Sequence, residues 1–238
     1  MKMSLKLFAM LLLCVCTLTA CGGDDNDDNI TAGKNGVYVI NGHKFVDLGL
    51  PSGLLWATRN VGAESIYEVG NYYSWGEIEP KNKYTLTTYK WFDGDEFTKY
   101  TPEDGKRELD AADDVATVKW GKKCRLPKFA EAIELVTKCK WEWLLSYDNQ
   151  SINGYLVTGP NGNSIFLPAA GSNTGSLIQW SRENGDYLLK DITQRHESNQ
   201  YIEILTFWER ERKIDPTESS FTSSYRVWGH SARPVATK

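Results

Sequence analysis

Val37-Tyr38-Val39-Ile40, then Asn41-Gly42, then His43-Lys44-Phe45-Val46 is the stretch on which the fold reading turns. Two short runs rich in β-branched and aromatic residues flank an Asn-Gly pair. That pair accepts the positive φ angles of a type I′ turn, so the segment predicts a β-hairpin. The pattern returns where Gly154–Val157 and Ser164–Leu167 are joined through Gly159-Pro160-Asn161-Gly162. Further short strands are predicted at Leu54–Val61, Tyr72–Trp75, Leu177–Trp180, Tyr187–Leu189, Tyr201–Phe207 and Tyr225–Val227. Trp141-Glu142-Trp143 alternates like a strand edge, and Tyr84–Tyr89 alternates aromatic or apolar residues with Thr. One helix is clear. It runs over 127–138, with Pro127 suited to the first helical position and Phe129, Ile133, Leu135 and Val136 on one apolar face. A short helix near Leu109–Val115 is expected within the charged, irregular stretch 91–117. The sum is an α+β domain built on antiparallel, hairpin-rich sheet.

Composition points the same way. The chain has 238 residues, 41% hydrophobic and 24% charged, values of a globular protein. The 12% aromatic content, with 20 Gly and 8 Pro, favours turn-rich β structure. A formal net charge of −4 argues against a nucleic-acid partner, which needs a basic face for phosphates. No apolar run reaches the ~20 residues of a spanning helix. No P-loop, G-x-G-x-x-G or G-x-S-x-G motif occurs, and Gly49-Leu50-Pro51-Ser52-Gly53 is a turn before a strand.

The first 20 residues are an address. Lys2 and Lys6 precede an apolar run beginning Leu7-Phe8-Ala9-Met10-Leu11-Leu12-Leu13, the pattern of a secretory signal over 1–20. It ends in Leu18-Thr19-Ala20-Cys21, which resembles the lipobox of bacterial lipoproteins. Small residues fit the peptidase cleft, and the Cys21 thiol is the nucleophile that receives diacylglycerol. The rival reading is an ordinary signal peptide with a chance Cys. Residues 21–34 then form a lipidated tether, opened by Gly22-Gly23-Asp24-Asp25-Asn26-Asp27-Asp28-Asn29. That acidic run is solvated and resembles the export signal of surface lipoproteins in Bacteroides-type bacteria; a simple spacer is the alternative. Loss of Lys2 and Lys6 with the leader takes the charge from −4 to −6, of which the tether Asp residues carry −4, so the domain is nearly neutral.

Four ordered motifs then bear on family. Val46-Asp47-Leu48-Gly49-Leu50-Pro51-Ser52-Gly53-Leu54-Leu55-Trp56-Ala57-Thr58 opens the domain, and Gly70-Asn71-Tyr72-Tyr73-Ser74-Trp75-Gly76-Glu77 follows. Cys124-Arg125-Leu126-Pro127, with Glu131 and Glu134 beyond it, comes next, and Gly229-His230-Ser231-Ala232-Arg233-Pro234-Val235 closes the domain. Over roughly residues 44–238 the chain resembles the Fibrobacter succinogenes major paralogous domain of secreted and surface lipoproteins. The resemblance implies a single domain over 35–238 with a C-type lectin-like, sulfatase-modifying-factor-like fold. In such folds the chain ends pair near each other and an irregular insertion carries binding. The chain departs from the family late: Gly185-Asp186-Tyr187-Leu188 stands where members show Gly-x-Tyr-Trp-Ser-Ser, and Asp191–Ser220 is charged and hard to align.

Catalytic chemistry does not carry over. Sulfatase-modifying enzymes use a reactive cysteine pair late in the domain, and no Cys follows Cys139. Cys124 and Cys139 admit two readings, a disulfide formed in an oxidising compartment or two buried thiols. His43, His196 and His230 lack zinc spacing, and no metal ligands or other cofactor are expected. Glu77, Glu79 and Asp148 form a possible hydrolytic carboxylate set of little weight among 31 acidic residues. Glu79-Pro80-Lys81-Asn82 is a broken lectin-type calcium triplet, and Asp93-Gly94-Asp95-Glu96 reads as a solvated turn. Among nine Trp, Trp56, Trp75, Trp141 and Trp228 fall to the core, whereas Trp91, Trp180 and Trp208 lie in or beside loops, where an indole stacks on a sugar face or peptide.

The expectation is a non-enzymatic outer-membrane lipoprotein, exposed at the cell surface and held by lipid on Cys21. Its domain would bind a glycan or surface protein, as an adhesin or fimbria-associated subunit. The alternatives are an enzyme of a polysaccharide-use or cysteine-modifying system and a purely structural envelope protein. Cys21→Ser is expected to abolish incorporation of radiolabelled palmitate and shift the protein from the membrane to the soluble fraction; labelling that survives the substitution contradicts lipidation there.

Overall fold

A computed structural model describes residues 29–192, 199–209 and 220–238. Cys21, the leader and most of the expected tether lie outside them, as does His196. In chain order the strands are β1 (Ile30–Ala32), β2 (Val37–Ile40), β3 (His43–Asp47), β4 (Leu55–Ala57), β5 (Tyr72–Tyr73), β6 (Cys124–Arg125), β7 (Lys140–Leu144) and β8 (Gly154–Thr158). Then come β9 (Ser164–Pro168), β10 (Ser172–Thr174), β11 (Leu177–Gln179), β12 (Asn184–Leu188), β13 (Tyr201–Trp208), β14 (Phe221–Tyr225), β15 (His230–Ser231) and β16 (Val235–Ala236). The helices are α1 (Val115–Trp120) and α2 (Phe129–Lys138). The fold is sheet-rich α+β with mostly antiparallel pairing.

Both hairpins form where the turn chemistry places them. Asn41 and Gly42 take φ of 49° and 80°, and Ile40 pairs with His43. Thr158 pairs with Ser164 across the second turn. The first sheet has the order β1-β2-β3-β4-β16-β6, so the strand nearest the C-terminus is inserted between two early ones. The second has the order β14-β13-β12-β15-β5; β7-β8-β9 form a third and β10-β11 a fourth.

Strand alternation sends successive side chains into two cores. Phe45, Leu55, Ala57, Leu188 and Ala236 enter one; Val46, Trp56, Tyr187 and Val235 enter the other. Strands covered on both faces read as continuous apolar runs, as β4 and β16 do. Trp56 and Trp75 are fully buried, as expected for core residues.

Several boundaries depart from expectation, each for a local reason. β1 lies within the residues expected as tether, because Ile30 packs against the first core and Asn29 hydrogen-bonds Asn41. Pro127 precedes its helix instead of opening it. Lys128 is the extended N-cap, and the Phe129 N–H donates to Asp191 Oδ1 at 2.7 Å, a cap supplied from 62 residues away. The short helix forms later than Leu109–Val115, because the Asp114 carboxylate accepts from the Ala116 and Thr117 N–H groups and starts α1 there. Tyr84–Tyr89 contains a 3₁₀ turn, not a strand. The Thr85 N–H donates to the Thr88 hydroxyl at 3.2 Å, and that hydroxyl donates to the Thr85 carbonyl at 3.1 Å, closing the backbone locally. The strand expected at Tyr225–Val227 is β14, which ends at Tyr225, where a Trp228 N–H to Tyr225 carbonyl turn begins.

No disulfide joins Cys124 and Cys139. Cys124 packs in the first core and Cys139 beside the second, with burial pushing the Cys139 thiol up to about 12.

Two buried guanidiniums lock the assembly. Arg233 donates from Nε to Asn60 Oδ1 at 2.7 Å, from Nη1 to the Ala57 carbonyl at 2.8 Å and from Nη2 to the Phe166 carbonyl at 3.0 Å. Burial pushes its pKa down to about 10, so it stays charged at neutral pH. Arg226 donates from Nε to the Tyr89 hydroxyl and from Nη2 to the Lys99 carbonyl, both at 2.9 Å, and stacks among Trp75, Phe97 and Tyr100. Arg233→Met strands three buried acceptors and is expected to destabilise the domain by about 3 kcal/mol or more, read as a lower urea midpoint. Arg233→Lys should rescue little, because one ammonium cannot span the fork. An unchanged midpoint in either variant contradicts this.

Candidate functional site

Strands β12, β13 and β14 pair in register, with Asp186 opposite Thr206, Asn184 opposite Trp208 and Ile204 opposite Thr222. Because side chains alternate, Tyr187, Leu205 and Phe207 face the second core. Asn184, Asp186, Thr206 and Trp208 instead line a cavity of about 590 Å³ that Ser172, Gln179, Trp180, Ser224 and Trp228 help enclose.

The floor is polar and buried. Asp186 is 7% exposed and Asn184 2%. Asp186 Oδ1 accepts from Asn184 Nδ2 at 2.9 Å and from the Thr206 hydroxyl at 2.7 Å. Among the described residues Asn184 Oδ1 has no hydrogen-bond partner. Beside them Ser224 Oγ lies 2.8 Å from His230 Nε2. Burial holds the His230 imidazole below its ordinary pKa against the opposing pull of Asp186, which keeps the ring neutral at pH 7.

The rim is aromatic. Trp180 is 53% exposed, and its ring centroid lies 5.5 Å from that of half-buried Trp208. Trp180 has a left-handed φ of 59°, which costs a non-glycine residue ~1–2 kcal/mol, and the Glu183 and Asn184 N–H groups both bond its carbonyl. A strained backbone that presents a large indole to solvent is a feature of binding sites. Trp228 packs against Tyr225 with the rings tilted by 50° and lines the cavity.

Glycines bring the pieces together. Gly171, at φ 69°, allows the backbone to pass the Gln179 carbonyl, which a Cβ would approach to 2.1 Å, and its N–H donates to the Asn184 carbonyl at 2.8 Å. A Cβ on Gly185 would lie 2.2 Å from the Phe207 ring. Reciprocal backbone bonds between Asn173 and Gly229, at 2.8 and 2.9 Å, tie β10 to the loop carrying Trp228.

Of the three tryptophans expected at a site, the structure brings two together. Trp91 is elsewhere: its Nε1 donates to the Gly76 carbonyl at 3.0 Å, and Lys90 and Lys99 cover its ring. Trp228, expected in the core, packs half-buried against the Tyr89, Phe97 and Val227 cluster and also lines the cavity. The motif around it gave a packing reason and no sign that one ring edge faces out. Asn184 and Asp186 were also missed. Their signal was two polar residues spaced i, i+2 around Gly185.

The other candidates separate. Glu77 pairs with Lys81, Glu79 with Lys119, and Asp148 accepts from the Tyr67 hydroxyl. Asp93 accepts the Asp95 and Glu96 N–H groups in an exposed turn. His43 stacks on Trp120 with centroids 3.8 Å apart. Among the described residues no group of three His, Cys, Asp or Glu side chains is placed to hold a metal ion, and no helix is long and apolar enough to cross a membrane.

No family model, curated protein or solved structure matches the chain.

Gly185→Ala is expected to destabilise the domain by ~1–3 kcal/mol through the Phe207 clash. Trp180→Ala, truncating an exposed ring, should stay within ~0.5 kcal/mol of the parent. Urea unfolding checks both, and equal effects would contradict the geometry.

Proposed function

We propose that this chain is a surface-displayed lipoprotein, anchored through lipid on Cys21, whose cavity binds a saccharide without cleaving it. The observation that carries the reading is the ring of Trp180, Trp208 and Trp228 over the Asp186–Asn184–Thr206 floor. Pyranose rings present C–H faces that stack on indoles and hydroxyls that hydrogen-bond carboxylates and amides, and this cavity offers both. The insertion of β16 beside β4 supports the C-type lectin-like reading, since it pairs late chain with early chain. An adhesin or fimbria-associated subunit uses such a site on a displayed glycan.

A second reading, glycoside hydrolysis, draws on Asp186 and Glu209, which both line the cavity. It predicts cleaved oligosaccharide, lost on Asp186→Asn.

A glycan array followed by titration of tryptophan fluorescence tests the binding reading. At least one saccharide should bind and remain intact on prolonged incubation. Trp180→Ala and Trp208→Ala should each weaken binding by about three- to ten-fold, the worth of one aromatic stack. Failure of every saccharide to bind overturns the proposal, and turnover favours the hydrolase.

A further inference from the structure

We infer that the acidic run 24–28 docks on its own domain, at a basic patch built around the 41–42 turn. The run lies outside the described residues, but the point where it joins the fold is fixed. Asn29 bonds the first hairpin twice: its N–H donates to Asn41 Oδ1 and its carbonyl accepts from the Asn41 N–H, both at 3.1 Å. Asn41 Nδ2 donates in turn to the Trp120 carbonyl at 2.8 Å, which sets the turn 121–124 beside the same point. The run therefore meets the domain where two elements distant in sequence converge.

Cations gather there. Lys122 and Lys123 are exposed in the turn 121–124. Gly42, Lys44, Thr58 and Arg59 line a cleft of about 320 Å³ that begins at the 41–42 turn. Arg59 Nη1 donates to the Glu64 carbonyl at 2.7 Å, and the guanidinium lies 6.0 Å from the centre of the Trp120 ring, on which His43 stacks. Glu64 is the one carboxylate among the described residues of the cleft. Lys119 is paired with Glu79, whereas among the described residues no ion pair holds Lys44, Arg59, Lys122 or Lys123. In a domain nearly neutral as a whole, this is a local excess of positive charge.

Asp24, Asp25, Asp27 and Asp28 supply its complement. Asp28 adjoins Asn29, and even Asp24 is within about 17 Å of it along a fully extended chain. One exposed ion pair is worth only ~0.2–1 kcal/mol, but attachment beside the patch keeps the carboxylates at high effective concentration. Several such pairs then hold the run against the domain. The contact requires neither a bound saccharide nor lipid on Cys21.

The test is zero-length carbodiimide cross-linking of the full-length chain in detergent, read by peptide mass spectrometry. Carboxylates of the run should join to Lys44, Lys122 and Lys123 about five-fold more than to Lys83 and Lys138, which are exposed elsewhere on the domain. The excess should shrink as salt is raised and should not depend on protein concentration, as befits a contact within one molecule. In a chain carrying Asp27→Asn and Asp28→Asn, an amine-acylating reagent should modify the three patch lysines about two-fold faster and the other two at the parent rate. Equal joining to all five lysines, joining only between molecules, or an excess indifferent to salt overturns the inference. Protection of the patch lysines by phosphatidylglycerol vesicles, with no joining to the run, gives the surface to a membrane and overturns it too.

Discussion

The guanidinium of Arg233 is the contact on which the rest of the architecture depends. It is 99% buried, and no carboxylate is among the three acceptors it reaches. Those acceptors come from the end of β4, the Asn60 loop and β9, regions far apart in sequence. Pro234 follows, and its carbonyl accepts from the Ala57 N–H at 2.9 Å, so the same few residues pin β16 into the first sheet. A planar fork with five donors suits this role, whereas a carboxylate partner would have added a second buried charge to desolvate. Arg226 does the corresponding work for the second sheet, held by the Tyr89 hydroxyl and by carbonyls of the 99–100 loop.

With β16 fixed, the first sheet becomes a partition between two cores, and the second sends Leu188, Ile202 and Ile204 into the first core while the far end of the same face, at Asn184, Asp186 and Thr206, is left to the cavity. β12 lies between β13 and β15, so its backbone is satisfied on both sides and its side chains are free to differ by face. One face gives Tyr187 to the core; the other gives Asn184 and Asp186 to the cavity. The β10–β11 hairpin then brings Trp180 over that floor because Gly171 lets two backbones approach. The cavity is a by-product of how the sheet is covered, and its chemistry was set by the residues left facing it.

Residues whose structure is set by near neighbours were legible in the sequence. Asn41-Gly42 supports only a few turn geometries, and the 154–167 hairpin closes through its own Gly-Pro-Asn-Gly. The amphipathic stripe of α2 was legible as well, while its start was not, since the Asp191 cap arrives from the segment beyond β12, 62 residues away. Tyr84–Tyr89 alternates at period two, yet its Thr residues bond their own backbone and close a 3₁₀ turn. For the site, Trp180 and Trp208 stood out by residue type and loop context. Trp91 carried the same signal and lies against Gly76, because nothing local distinguishes an indole N–H used internally from one left at a rim.

The sequence by itself determined the turns, the alternating strands, the antiparallel hairpin-rich class and the residue types able to stack or accept hydrogen bonds, since these follow from backbone sterics and short-range patterning. Only the tertiary structure decided that Asn184, Asp186, Thr206 and three tryptophans share one cavity and that Arg233 joins three distant segments. Those outcomes depend on which strands pair and which faces they cover, and such long-range contacts leave no periodic trace in a single chain.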